Sequence, residues 1–186
     1  MTEEEKGRRE AAVRRVRERV RPYEATHPHM KDFGEFLEEL NKETERGAAL
    51  SAAAFIDALL ERTLAAFLIS NDSGFDLISG NGPLRDFAAK AQACHAMGLI
   101  SEEEFKECGL IRKVRNEFAH KVKMSFDNDK VKGLCSSLKF AAKPYRHVTV
   151  STRGKFTTAP VGLILNLTNR PHYVGKKALT YQEWPR

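Results

Sequence analysis

The stretch Leu110-Ile111-Arg112-Lys113-Val114-Arg115-Asn116-Glu117-Phe118-Ala119-His120 decides how this chain is read. Stepped at about 100° per residue, Leu110, Ile111, Val114, Phe118 and Val122 fall in one arc of about 120°, the stripe of a helix that faces a core. Arg112, Asn116 and His120 follow at i, i+4 and i+8 up the opposite side. Arg115 lies on the flank. A helix end that gathers Arg, Asn and His carries more chemistry than solubility asks for, although a solvated polar face fits the same composition.

Immediately upstream, Ser101-Glu102-Glu103-Glu104 is a capping box. It opens the helix that runs through Phe105 and Ile111 to His120, and its acids suit the positive end of the helix dipole. Before it, Gly80-Asn81-Gly82-Pro83 predicts a turn, with Pro83 at the first position of a helix reaching Met97 and closed by Gly98. Leu84, Phe87, Ala88, Ala91 and Cys94 line the buried side. His95 reads as a satisfied structural histidine.

Further back, Met30 to Arg46 is a helix with Phe33, Phe36, Leu37 and Leu40 at helical spacing, and Gly47 marks a break or a close-packing point. Ala48 to Ile69 follows as a second helix. Its alanines allow close backbone approach, and Phe55, Ile56, Leu59, Leu60, Leu64, Phe67 and Leu68 fill the space around them. Asp57 and Glu61, spaced i, i+4, are expected to pair with Arg46, Arg62 or Arg115. Ser70 to Gly74 ends this helix, and Phe75 to Ile78 reads as an apolar anchor within a loop.

Downstream, Asp127 or Asn128 caps a helix over about 129–140, stopped by Pro144. His147 to Ser151 has the propensity of a strand fragment. Thr152 to Arg170 is ambiguous by local propensity, and a helix with Pro160 near its first position fits the apolar run behind it. Pro171 to Arg186 is basic and carries Tyr173, Tyr181 and Trp184, as a tail or docking arm would. At the other end, residues 3–21 form a charged helix with a thin apolar strip, and Pro22 to His29 is a linker. The fold expected is all-α: a single helical bundle of about six or seven helices (30–170), with a basic helical extension (1–29) and a basic aromatic tail (171–186).

With 186 residues and 41% apolar content the chain can bury a core without staples. Cys94, Cys108 and Cys135 show no CxxC spacing, so neither a zinc site nor a disulfide framework is indicated, and no cofactor is implied. The cysteine usage fits a reducing, cytoplasmic compartment. The N-terminus shows no apolar signal region. Gly47 to Ile69 is long enough to span a bilayer, but Asp57, Glu61 and Arg62 interrupt it, so no membrane partner is expected. The net charge of +6 is uneven. Residues 139–186 hold nine Lys/Arg against one Glu, and residues 1–21 hold eight against five. Basic ends on a less basic centre can grip RNA or another polyanion.

Phe36-Leu37-Glu38-Glu39-Leu40-Asn41-Lys42-Glu43-Thr44-Glu45-Arg46-Gly47, Gly82-Pro83-Leu84, Met97-Gly98-Leu99-Ile100 and Ile111 to His120 together resemble the mannitol operon repressor family. The resemblance covers about residues 33–170. It implies an all-helical bundle and a helix around 153–169. The basic N-terminal helix and the tail past Pro171 lie outside it. Members are called transcriptional repressors, yet no helix-turn-helix with a basic recognition helix is visible here. The resemblance therefore implies regulation through a protein partner or the transcription machinery, by a helical homodimer. Arg112, Glu43 and Arg46 are the candidate binding residues.

Arg115 to His120 is also similar to the Arg-x-x-x-x-His motif of HEPN ribonucleases, with Asn116 after the Arg. That resemblance implies metal-independent RNA cleavage by a toxin or defence component. His120 would take the ribose 2′-hydroxyl proton, Arg115 would hold the phosphate, and Asn116 would orient His120 or donate to the phosphate. Arg115 and His120 stand about 140° apart on a helix, so such a site needs two chains across a dimer axis. The structural alternative pairs Arg115 with Glu43 or Glu45 and sets His120 against the helix's last carbonyls.

Overall fold

Thr44 decides where the longest helix begins. Its hydroxyl accepts from the Gly47 amide at 3.0 Å, which satisfies one of the orphan donors of a first turn. The computed structural model describes residues 30–145, 147 and 149–185. Among them are eight helices: α1 (Met30–Lys42), α2 (Glu45–Phe67), α3 (Asp72–Ile78), α4 (Phe87–Ala96), α5 (Glu102–His120), α6 (Asp129–Ser136), α7 (Thr152–Thr168) and α8 (Arg170–Gly175). The described residues contain no sheet, and the fold is all-α, as expected. The charged helix and linker expected over 1–29 lie outside the described residues, as do Arg146, Val148 and Arg186.

The chain divides into two units at residues 42 and 43. The first contains α1, which ends in a basic last turn at Lys42. The second, residues 43–186, is built on α2, against which α4, α5, α7 and α8 all pack. Ala48, Ala49, Ala52 and Ala53 are buried there, and Ile56, Leu59, Leu60 and Leu64 carry the apolar volume. Of the two expectations at Gly47, the break is corrected, since Gly47 lies in the first turn of α2, and the close packing is present. A side chain at 47 would strike the Glu43 carboxylate, which sits over that turn.

Three further local expectations are corrected, two of them by side-chain caps. Phe75–Ile78 is not loop but part of α3, because Asn71 accepts from the Gly74 amide at 2.7 Å. The helix expected from Pro83 starts at Phe87, capped at Asp86. Residues 82–85 form a turn, held by the Leu84 amide on the Leu77 carbonyl at 2.9 Å. No strand forms over 147–151 among the described residues, since Ser151 is the cap of α7 and accepts from the Gly154 amide at 3.0 Å. Gly98 ends the α4 turn at φ +69°, a backbone region that favours glycine.

The capping box at Ser101 is present with both bonds. From it α5 buries Cys108, Ile111, Val114 and Phe118. Leu110 is only half-buried, and Val122 is 92% exposed, because the helix stops at His120. Asn128 caps α6, which ends at Ser136 rather than near 140. The ambiguous segment 152–168 is helical, with Pro160 buried inside it rather than at its start. Proline within a helix lacks a donor and costs stability; here it is buried, on the same helix as Phe156, Ala159 and Leu163, which are fully enclosed.

Buried carboxylates tie the elements together. Glu104 pairs with Arg170 at 2.7 Å, and Arg170 also donates to the Leu99 carbonyl at 2.6 Å. Glu107, 1% exposed, accepts from the Lys139 and Phe140 amides at 3.0 Å each. Burial pushes its carboxyl above the ordinary value, partly offset by those two amides. Within the second unit the C-terminal segment docks on the end of α2 and the start of α3: the Leu179 amide meets the Phe67 carbonyl at 2.7 Å, and Asn71 donates to the Tyr181 hydroxyl at 2.7 Å. All three cysteines are free and buried, and burial pushes the Cys94 and Cys135 thiols up to about 12. No helix among the described residues is long and apolar enough to cross a membrane.

Candidate functional site

The last two turns of α5 carry the polar ridge. Phe118 is fully buried and fixes the rotation of this helix end, so Arg115 and His120 are both exposed and Arg112 and Asn116 are half-buried. Arg115 donates to the Asn116 side-chain oxygen at 3.0 Å. Neither Glu43 nor Glu45 holds it. Glu45 instead accepts from the Phe126 amide at 3.2 Å, and the Glu43 carbonyl accepts from Arg153 at 2.8 Å. The structure thus joins Arg115 with Asn116 and leaves His120 facing solvent on the same helix.

Arg46, rather than His120, bonds the carbonyls just past the end of α5. Its guanidinium donates to the Lys121 carbonyl and, at 3.0 Å, to the Val122 carbonyl. A cation there also meets the negative end of the helix dipole. Glu117 adds a second fastening, with Lys121 at 2.8 Å and Lys130 at 2.5 Å. The bonds from those two ammonium groups lower its carboxyl to about 2. Replacing Arg46 by alanine is expected to cost about 1–2 kcal/mol in urea unfolding, since charged bonds to two carbonyls are lost. Amide exchange should quicken at 118–122 ahead of the rest of α5. A stability equal to wild type would show that the contact contributes nothing.

Asp57 and Glu61 do not pair with Arg46, Arg62 or Arg115. They receive Lys90 of α4, at 3.1 and 2.6 Å. The Lys90 side chain is 3% exposed. Burial pulls its ammonium down, but the bonds from Glu61 and Asp57 outweigh that and leave it above the ordinary value. Burial also raises the Asp57 carboxyl, against the opposing bond from Lys90. Asp57 keeps one buried oxygen without a hydrogen bond. The signal for this cluster is in the sequence: Lys90 stands four residues before Cys94, on the apolar side of α4, opposite two carboxylates that need a cation. A helical-wheel reading that assigns only apolar residues to the buried side passes over it.

A second polar feature lies between the end of α6 and α7. An open groove of about 520 Å³ is lined there by Leu138, Lys139, Phe140, Lys143, Pro144 and Lys155, among others. The basic C-terminal third was legible as charge; its folding around one groove was not.

The arrangement of these helices has a match. The fold is shared with a chain of the X-ray structure of the MtlR–HPr complex from Escherichia coli. The TM-score is 0.57 and the identity 18%, over 77% of this chain and 98% of that one. No family model and no curated protein matches the sequence.

Proposed function

We propose that this protein is a regulator of the mannitol-repressor type, which acts by binding a protein partner, HPr or a protein like it, rather than by reading DNA bases. The observation that carries the reading is the shared fold, extending over 98% of the chain from the MtlR–HPr structure. The phrases in residues 36–47 and 111–120 support it independently. The surface chemistry agrees. α3 has no Lys or Arg, and the single lysine of α4 is buried, so neither helix offers the exposed cations of a recognition helix. Arg112, Glu43 and Arg46 remain the proposed binding residues on this reading.

The test is calorimetry of the full chain against HPr from the same organism. A saturable one-to-one complex is expected, and no heat and no co-elution would sink the proposal. A second reading has one specific observation behind it: Arg115 and His120 are both exposed, and no carboxylate among the described residues lies within ion-pair distance of Arg115. On that reading two copies of α5 combine Arg115, Asn116 and His120 into a metal-independent ribonuclease. His120→Ala would then lower RNA cleavage by on the order of 10²–10⁴. Cleavage that survives both His120→Ala and Arg115→Ala belongs to another protein in the sample.

A further inference from the structure

Between Asp129 and Glu183 the sequence contains no acidic residue and ten Lys/Arg. Several of these cations are already engaged: Lys130 with Glu117, Lys132 with Asp129, and Arg170 with Glu104. Lys143 and Lys155 form no ion pair with any described residue, and both line the groove between α6 and α7. Lys139 lines it too, within 3.5 Å of Glu103, the one acid there. The groove therefore gathers three lysines against one acid, with Lys143 and Lys155 left uncompensated.

Its backbone is fixed from beneath. Glu107 holds the Lys139 and Phe140 amides, and the Thr158 hydroxyl accepts from the Ala142 amide at 2.9 Å. A loop tied to α5 and α7 in this way presents its lysines in a set arrangement, and little ordering remains for a ligand to impose. The same wall supplies apolar surface from Leu138, Phe140 and Pro144. A volume of about 520 Å³ matches a short stretch of chain rather than a folded domain.

We propose that this groove docks an acidic segment of a protein partner, with its carboxylates on Lys143 and Lys155 and its apolar side chains against Leu138, Phe140 and Pro144. The proposal rests on the partner-binding reading and adds to Arg112, Glu43 and Arg46 a second surface for that partner. A nucleic acid is the less suited occupant: Phe140 is half-buried and is the one aromatic side chain in the lining, so successive bases find no stacking platforms there.

The test uses fluorescence anisotropy of the full chain with a short labelled peptide of alternating glutamate and leucine. A glutamine–leucine peptide and a labelled oligouridylate are run in parallel. The glutamate peptide should bind, and bind more weakly as salt rises. Lys143→Glu with Lys155→Glu should weaken it at least about tenfold. Lys143→Gln with Lys155→Gln should give a smaller loss in the same direction, with an unchanged circular dichroism spectrum. Lys176→Glu, outside the groove, should leave binding as it was.

Peptide affinity indifferent to the groove variants would overturn the proposal. So would binding of the glutamine peptide equal to that of the glutamate peptide, or binding of oligouridylate alone. The HPr titration is separate. If HPr fails to bind while the glutamate peptide binds in a groove-dependent manner, the partner named above falls and the groove stands.

Discussion

Lys90→Met should lower the stability of the protein by about 3 kcal/mol at neutral pH. Methionine keeps the length and most of the volume of lysine, so packing between α2 and α4 is little changed. The loss is of charge. Without the ammonium, Asp57 and Glu61 face one another one turn apart on α2, with no cation between them. Breaking a buried pair from one side costs about 3–5 kcal/mol. The low end applies because the two carboxylates are 32% and 46% exposed and keep part of their hydration. In a domain of this size the melting temperature should fall by roughly 6–12 °C. Adding Asp57→Asn and Glu61→Gln to the lysine variant should recover most of that loss. Urea unfolding of the single and triple variants measures both effects. A single variant within about 0.5 kcal/mol of wild type would show that the cluster is electrostatically neutral to folding.

The larger packing effect belongs to Phe118. Its ring lies 4.8 Å from that of Phe126, which in turn lies 5.3 Å from Phe156, so α5, the loop after it and α7 meet in one aromatic row. Phe118 and Phe156 are wholly enclosed. Phe118→Ala should cost about 3–5 kcal/mol, from lost burial and the cavity left behind, with aromatic contact contributing part of it. That is a large share of the 5–15 kcal/mol typical of a domain. Phe118→Leu should lose about half as much. Chemical unfolding of the two variants orders them, and a loss under about 1 kcal/mol for alanine would mean that the row collapses to fill the space. The same substitution bears on function, because Phe118 sets the facing of Arg115 and His120. Any activity of those residues should fall in Phe118→Ala even at temperatures where the protein remains folded.

Much of the bundle could be read from residues alone. The Ser101 box, the Gly98 terminator, the Asn128 cap and the buried alanines of α2 carry local signals strong enough to act without context. Errors fell where a short side chain outweighed a conspicuous one. Thr44, Asn71 and Ser151 start helices through their side chains, while Gly47, Pro83 and Pro160 draw attention and start none. His147 to Ser151 has strand propensity, but its described residues form no strand, and Ser151 is the cap of a helix. At the candidate site, the exposure of Arg115 and His120 follows from the periodicity of α5. The partners do not: Arg46 with residues 121–122, and Lys90 with Asp57 and Glu61, join positions that are distant in sequence. No local pattern specifies such pairs, because they depend on which helices become neighbours.

The central place of α2 has a consequence during synthesis. It leaves the ribosome well before α7 and α8, which pack against it. Even the carbonyl of Phe67 waits for Leu179. At roughly 5–20 residues per second, an apolar helix stands without its covering partners for on the order of ten seconds. The nascent chain therefore passes through a sticky interval set by topology rather than by any weak contact. Its yield in the cell depends on what shields α2 during that wait.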